Sequence, residues 1–121
     1  MNIGAQSVIL DRDQLREVTL DDEDLMREIL LALLDDTTRQ MVLLDSAIQD
    51  KDATQCMRLA HYSKGACANV GAAAAAAILK EIELKAAKNE FPECRASLAL
   101  LAQQVDLLRS EAASLSGFPA S

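Results

Sequence analysis

Apolar residues recur every three or four positions through two long stretches of this chain, and neither stretch contains glycine or proline. In the first, Leu25, Met26, Ile29, Leu30, Leu33, Leu34, Met41, Leu44 and Ile48 mark one face. In the second, Cys94, Leu98, Leu101, Val105, Leu108, Ala112 and Leu115 do the same. A half-buried strand would alternate with period two, so this spacing demands helices. Long amphipathic helices must bury their stripes against one another. With 121 residues the chain is a single domain able to enclose its own core. Apolar residues make up 50% of it and aromatics only 2%, so Leu, Ala, Ile, Val and Met must fill that core.

The segments between and around these stretches carry helix starts and stops. Asp11 is a candidate N-cap for a short helix over roughly residues 12–17. Asp21 or Asp22 opens the first long helix, with acidic residues in the first turn where the helix dipole favours them. The polar run DDTTR in its middle is expected to be somewhat more exposed. The turn QDKD closes this helix and Asp52 caps the next, whose inward stripe is Cys56, Leu59, Ala60, Ser63, Cys67 and Val70. Gly71 ends it by taking the left-handed conformation. The alanine run that follows supplies helix propensity and close packing, while Ile78, Leu79 and Ile82 supply the buried stripe. Asn89 stops that helix, and Pro92 suits the first turn of the last one.

The predicted architecture is all-α: an antiparallel up-down-up-down four-helix bundle with a short additional N-terminal helix across one end. Residues 1–10 are expected to form a loosely docked arm, residues 11–116 the bundle, and residues 117–121 a frayed tail.

Several function classes are disfavoured by the same composition. A net charge of −7 argues against nucleic-acid and anionic-membrane partners. No apolar run approaches the roughly 20 residues needed to span a bilayer, and the first residues lack the features of a secretion signal. Cys56, Cys67 and Cys94 are odd in number and lack metal-ligand spacing, so they read as buried thiols in a reducing cytoplasm. Acidic runs such as DDED fit helix-start electrostatics better than a metal site.

The chemistry concentrates in AHYSKGACANVG, residues 60–71. On a helix, His61, Lys64 and Gly65 stack on one face, because residues three and four apart are neighbours. A neutral imidazole can act as a nucleophile, a lysine one turn away can neutralise a phosphoryl group, and a glycine beside it leaves room. Glycine inside a helix costs about 1 kcal/mol relative to alanine, which suggests a local need for space at Gly65. Arg58, one turn before the histidine, could help hold phosphate or could simply be a solvated surface charge. Tyr62 reads as an amphipathic surface residue.

The run HYSKGACANVG resembles the H-x-x-K-G-x-x-x-x-x-G signature of histidine-containing phosphotransfer (HPt) domains, the carriers of multistep phosphorelays. TLDDEDLMREILLALLDD is similar to that family's second helix, and Ile82-Glu83 matches its downstream Leu-Glu pair. The resemblance implies that His61 is the phosphoacceptor through Nε2, that Lys64 steadies the phosphoryl group, and that Gly65 leaves space for it. Gly71 matches a structural glycine. Glu83 matches a position from which some members hydrogen-bond the imidazole Nδ1. The chain departs from the pattern at Ser63, where the family usually has a large aliphatic residue. Its hydroxyl is expected to bond back to the Leu59 carbonyl, with looser packing beneath the histidine.

The expected function is relay of a phosphoryl group between aspartates of response-regulator receiver domains, with a hybrid sensor histidine kinase as a further partner. Such a chain is a covalent carrier, not an enzyme. It needs no cofactor of its own, and Mg²⁺ belongs to the receiver. The expected form is a free-standing cytoplasmic monomer. Docking is expected around the histidine, with a contribution from the preceding helix near Thr38 and Met41. The alternative is a helical docking module that binds receivers without being phosphorylated.

Overall fold

The computed structural model describes residues 8–115, and among them every regular element is a helix. Helix α1 runs Arg12–Thr19, α2 Glu23–Gln49, α3 Ala53–Asn69, α4 Ala73–Ala87 and α5 Phe91–Leu115. The expected tail, and residues 1–7 of the expected arm, lie outside the described residues.

Local chemistry sets the helix boundaries. Asp11, Asp22 and Asp52 each accept a hydrogen bond from the backbone N–H three residues on, at 3.1 Å, satisfying a donor that the helix itself leaves free. Left-handed residues follow the helix ends: Lys51 after α2, Gly71 after α3 and Asn89 after α4. The connections from α2 to α5 are only three residues long, so consecutive helices run antiparallel and lie side by side. Packing runs α2–α3–α4–α5 and closes between α5 and α2. Leu30, Leu34, Leu44, Leu79, Ile82, Leu101 and Leu108 fill the interior. Ala60, Ala72, Ala75 and Ala86 are fully buried, so α3 and α4 have room to approach closely.

Helix lengths explain α1. α2 and α5 have 27 and 25 residues, whereas α3 and α4 have 17 and 15. The long pair therefore extends roughly 15 Å beyond the α3–α4 turn at a rise of 1.5 Å per residue. Helix α1 fills that step. Gln14 Nε2 donates to the carbonyls of Ala68 and Asn69 at the end of α3, at 2.7 and 3.2 Å. Arg12 Nε donates to Glu111 of α5 at 3.1 Å. The Asp11 N–H donates to the Gly71 carbonyl at 2.7 Å, and the Ala74 N–H to the Val8 carbonyl at 2.8 Å. Leu10 and Leu15 are buried. Residues 8–10 are thus docked rather than loose, because the Val8 carbonyl satisfies the Ala74 N–H and Leu10 is buried.

Two details differ from the sequence-based expectation. Thr37, within the polar run of α2, is buried because it faces the core at Cys67. Leu25 is exposed, one position off the stripe begun by Met26. Cys56, Cys67 and Cys94 are free and buried, and desolvation pushes the Cys56 and Cys67 thiols up to about 11, which keeps them protonated and inert. No helix among the described residues is long and apolar enough to cross a membrane.

Ser63 corrects a further expectation. Its hydroxyl makes no bond to the Leu59 carbonyl and is buried without a partner. An unsatisfied buried hydroxyl is destabilising. Ser63→Ala is therefore expected to stabilise the fold by about 1 kcal/mol, read as a higher urea midpoint at unchanged slope. A lower midpoint would mean that the hydroxyl has a partner.

Candidate functional site

His61 projects from the middle of α3, beside the buried stripe of Ala60, Ser63 and Cys67, and its side chain is 69% exposed. Glu83 reaches it from α4. The two residues each lie eleven positions from Ala72 in the α3–α4 turn, so antiparallel packing brings them to one level. His61 Nδ1 is 3.0 Å from Glu83 Oε2. An ionised carboxylate can only accept, which makes Nδ1 the protonated nitrogen and leaves the Nε2 lone pair free.

Lys64 enters the same arrangement. Its Nζ donates to the other oxygen, Glu83 Oε1, at 2.8 Å. Glu83 thus bridges the imidazole and the ammonium, with a side chain 24% exposed against 28% for Lys64. The hydrogen bond from Lys64 is the main influence holding the Glu83 carboxyl below its ordinary range, with a smaller contribution from His61. The folded protein therefore binds the Glu83 proton less readily than the unfolded chain. The resulting stabilisation is complete above the ordinary carboxylate value of 4.5 and is lost as pH falls through the lower folded value. The stability gap between wild type and Glu83→Gln is expected to shrink with acidification below that point in urea titrations. A gap constant with pH would mean that the pairing contributes nothing to stability.

Gly65 occupies the turn after His61, and a Cβ built there would meet nothing within 4 Å. Packing within the chain therefore does not require glycine, and the space beside the histidine opens outward. Gly71 is different. It has φ +87°, and a Cβ there would lie 2.7 Å from the Asp11 carbonyl oxygen, so both backbone conformation and the seat of α1 require glycine.

On the other flank of His61, the Tyr62 hydroxyl donates to Asp36 of α2 at 3.1 Å. Arg58 donates to Gln55 at 3.4 Å, and both line a shallow depression with Gln40, Leu59 and Tyr62. Thr38 and Met41 do not lie on this flank. They line a groove between α2 and α5 with Leu98, Ala99 and Ala102, bordered by the Arg95–Asp45 ion pair and the Arg109–Thr38 hydrogen bond. Antiparallel register fixed their height correctly but not their direction around α2. The residues of α2 on the histidine side are Asp36 and Gln40. No group of three or more His, Cys, Asp or Glu among the described residues is arranged to hold a metal ion.

Residues 28–111 match the family model of the Hpt domain, a segment containing His61, Lys64, Gly65, Gly71 and Glu83. The chain belongs to the Hpt domain family. Its fold is also similar to the crystal structure of histidine-containing phosphotransfer protein B (HptB) from Pseudomonas aeruginosa PAO1. The TM-score is 0.80 at 25% identity, covering 88% of this chain and 92% of that one. No curated protein matches it in sequence. Family membership associates this Hpt domain with histidine phosphotransfer in two-component phosphorelays. Helix α1 lies wholly outside the matched segment.

The Lys64–Glu83 pairing and the Tyr62–Asp36 bond were not anticipated from sequence. The first had a signal, since Lys64 follows His61 by one turn and so also approaches the level of Glu83. The second had none, because it depends on the direction each side chain takes around its helix.

Proposed function

We propose that His61 relays a phosphoryl group between receiver domains. Its Nε2 accepts the group from the aspartyl phosphate of one response-regulator receiver and passes it to the aspartate of a second. The observation that carries this reading is the 3.0 Å contact from Nδ1 to Glu83, which leaves Nε2 as the free nucleophile on an exposed ring. Lys64 is near enough to move from Glu83 toward the equatorial oxygens, where a mobile cation offsets developing charge. Gly65 keeps the approach open.

In this reading the chain is a covalent carrier, not an enzyme acting alone. It requires no cofactor of its own, and the receiver supplies Mg²⁺ and most of the electrostatic stabilisation. A hybrid sensor histidine kinase can supply the first phosphorylated receiver. The carrier works as a monomer. The net charge of −7 fits a protein partner better than nucleic acid or an anionic membrane.

Incubation with a phosphorylated receiver tests the proposal. Wild type is expected to take up label that is labile in acid and stable in alkali, and His61→Gln to take up none. Wild type that binds receivers without acquiring label would instead be a docking module.

A further inference from the structure

The bridging position of Glu83 bears on the second half of the transfer cycle. We infer that the Glu83 carboxylate, shared between His61 and Lys64, keeps the Nδ1 proton on the ring while the phosphoryl group is present, so that His61 departs as neutral imidazole when the group moves on. Glu83 is then a positioning residue for a proton, and the inference rests on the carrier reading of His61.

The balance of the two steps gives the reason. On arrival, the Nε2 lone pair forms the N–P bond as the P–O bond to the receiver aspartate breaks and its electrons leave with that carboxylate. The ring now bears the phosphoryl group on Nε2, a hydrogen on Nδ1 and a positive charge. On departure, an oxygen of the next receiver's aspartate bonds to phosphorus, and the N–P electron pair returns to Nε2. The product is neutral imidazole with its hydrogen still on Nδ1. No proton enters or leaves at any point. If Nδ1 loses its proton between the steps, the leaving group becomes the imidazolate anion, which is far poorer.

The surroundings of the ring determine whether that proton stays. Lys64 belongs to the same helix face and would by itself oppose a cationic ring. Glu83 lies between the two, with Oε2 3.0 Å from Nδ1 and Oε1 2.8 Å from Nζ, so one negative charge serves both cations. Lys80, one turn before Glu83 on α4, is exposed to solvent, and other charges on the packed helices are engaged elsewhere. From α2, Asp36 accepts from Tyr62 and Arg39. From α3, Arg58 donates to Gln55. Where α5 packs against α4, Lys85 bonds Ser97 and Glu81. Glu83 is the one anion in hydrogen-bond contact with the ring among the described residues.

Glu83→Gln separates charge from orientation, because an amide oxygen can still accept from Nδ1–H but carries no charge. Wild type and Glu83→Gln are phosphorylated by a receiver, freed from it, and followed during transfer to fresh receiver from about pH 6 to pH 9. Taking the variant-to-wild-type rate ratio at each pH cancels the receiver's own dependence. The ratio is expected to fall as pH rises, by up to about tenfold per unit once the variant's ring deprotonates. Nitrogen NMR of the phosphorylated proteins should show the Nδ1 proton retained to higher pH in wild type. A ratio constant with pH, together with matching Nδ1 titrations, would overturn the inference while leaving the carrier reading intact. Wild type that acquires no phosphoryl group would overturn both.

Discussion

Gly65→Gln is expected to leave the bundle folded while lowering phosphoryl uptake at His61 by roughly 100-fold, the cost of displacing a reacting group by about 1 Å. The two effects separate because of where Gly65 points. A Cβ at this position has open space within 4 Å, so no neighbour must move. Glutamine is also a better helix former than glycine, by a margin approaching 1 kcal/mol, and thermal unfolding should show equal or higher stability. Side chains on a helix lean toward its N-terminus, over the preceding turn. A side chain at 65 therefore leans over His61 and enters the volume through which a receiver aspartate must approach Nε2. Uptake rates measured with one phosphorylated receiver check this directly. Unchanged uptake would show that the phosphoryl group arrives by another path.

At Gly71 substitution should do the reverse. Gly71→Ala is expected to destabilise the fold by about 2–3 kcal/mol, combining left-handed backbone strain with a steric clash. The new Cβ would lie 2.7 Å from the Asp11 carbonyl oxygen, a backbone atom that cannot move without lifting α1 from the end of the bundle. The loss corresponds to a fall in melting temperature on the order of 10 °C. Hydrogen exchange should localise it, with the Asp11 and Ala74 amides losing protection before those in the middle of α2 and α5. The molecules that remain folded should still accept phosphoryl groups, since His61 lies well down α3 from this turn. Uniform loss of protection across the bundle would mean that α1 is not a separately docked element.

These two glycines show what the amino-acid sequence can disclose. The caps at Asp11 and Asp52 were legible, and the third was narrowed to Asp21 or Asp22, because each is set by chemistry within three residues. The bundle was legible because period 3.6 and short turns leave few other arrangements. The meeting of His61 with Glu83 was legible only through the family resemblance, and the structure supplies its reason in their equal distances from the α3–α4 turn. Direction around a helix was harder to read than level along it. Thr38 and Met41 were placed at the right height beside the histidine but belong to the α2–α5 groove. Ser63 reads from sequence as bonding back to its own helix, yet its hydroxyl is buried without a partner. The seat of α1 on Gly71 was not legible, because it rests on a backbone contact between Asp11 and Gly71 that no local pattern encodes.

The central claim is that His61 carries the phosphoryl group on a free nitrogen with Glu83 holding the other. The most direct measurement is label transfer from a phosphorylated receiver to wild type and His61→Gln side by side, with the folded state of both checked by circular dichroism. His61 is exposed and glutamine can still donate to Glu83, so the substitution should leave the bundle folded. Acid-labile, alkali-stable label on wild type and none on His61→Gln is the expected result. Equal labelling of the two proteins, or a wild type that never acquires label from any receiver it binds, would contradict the claim.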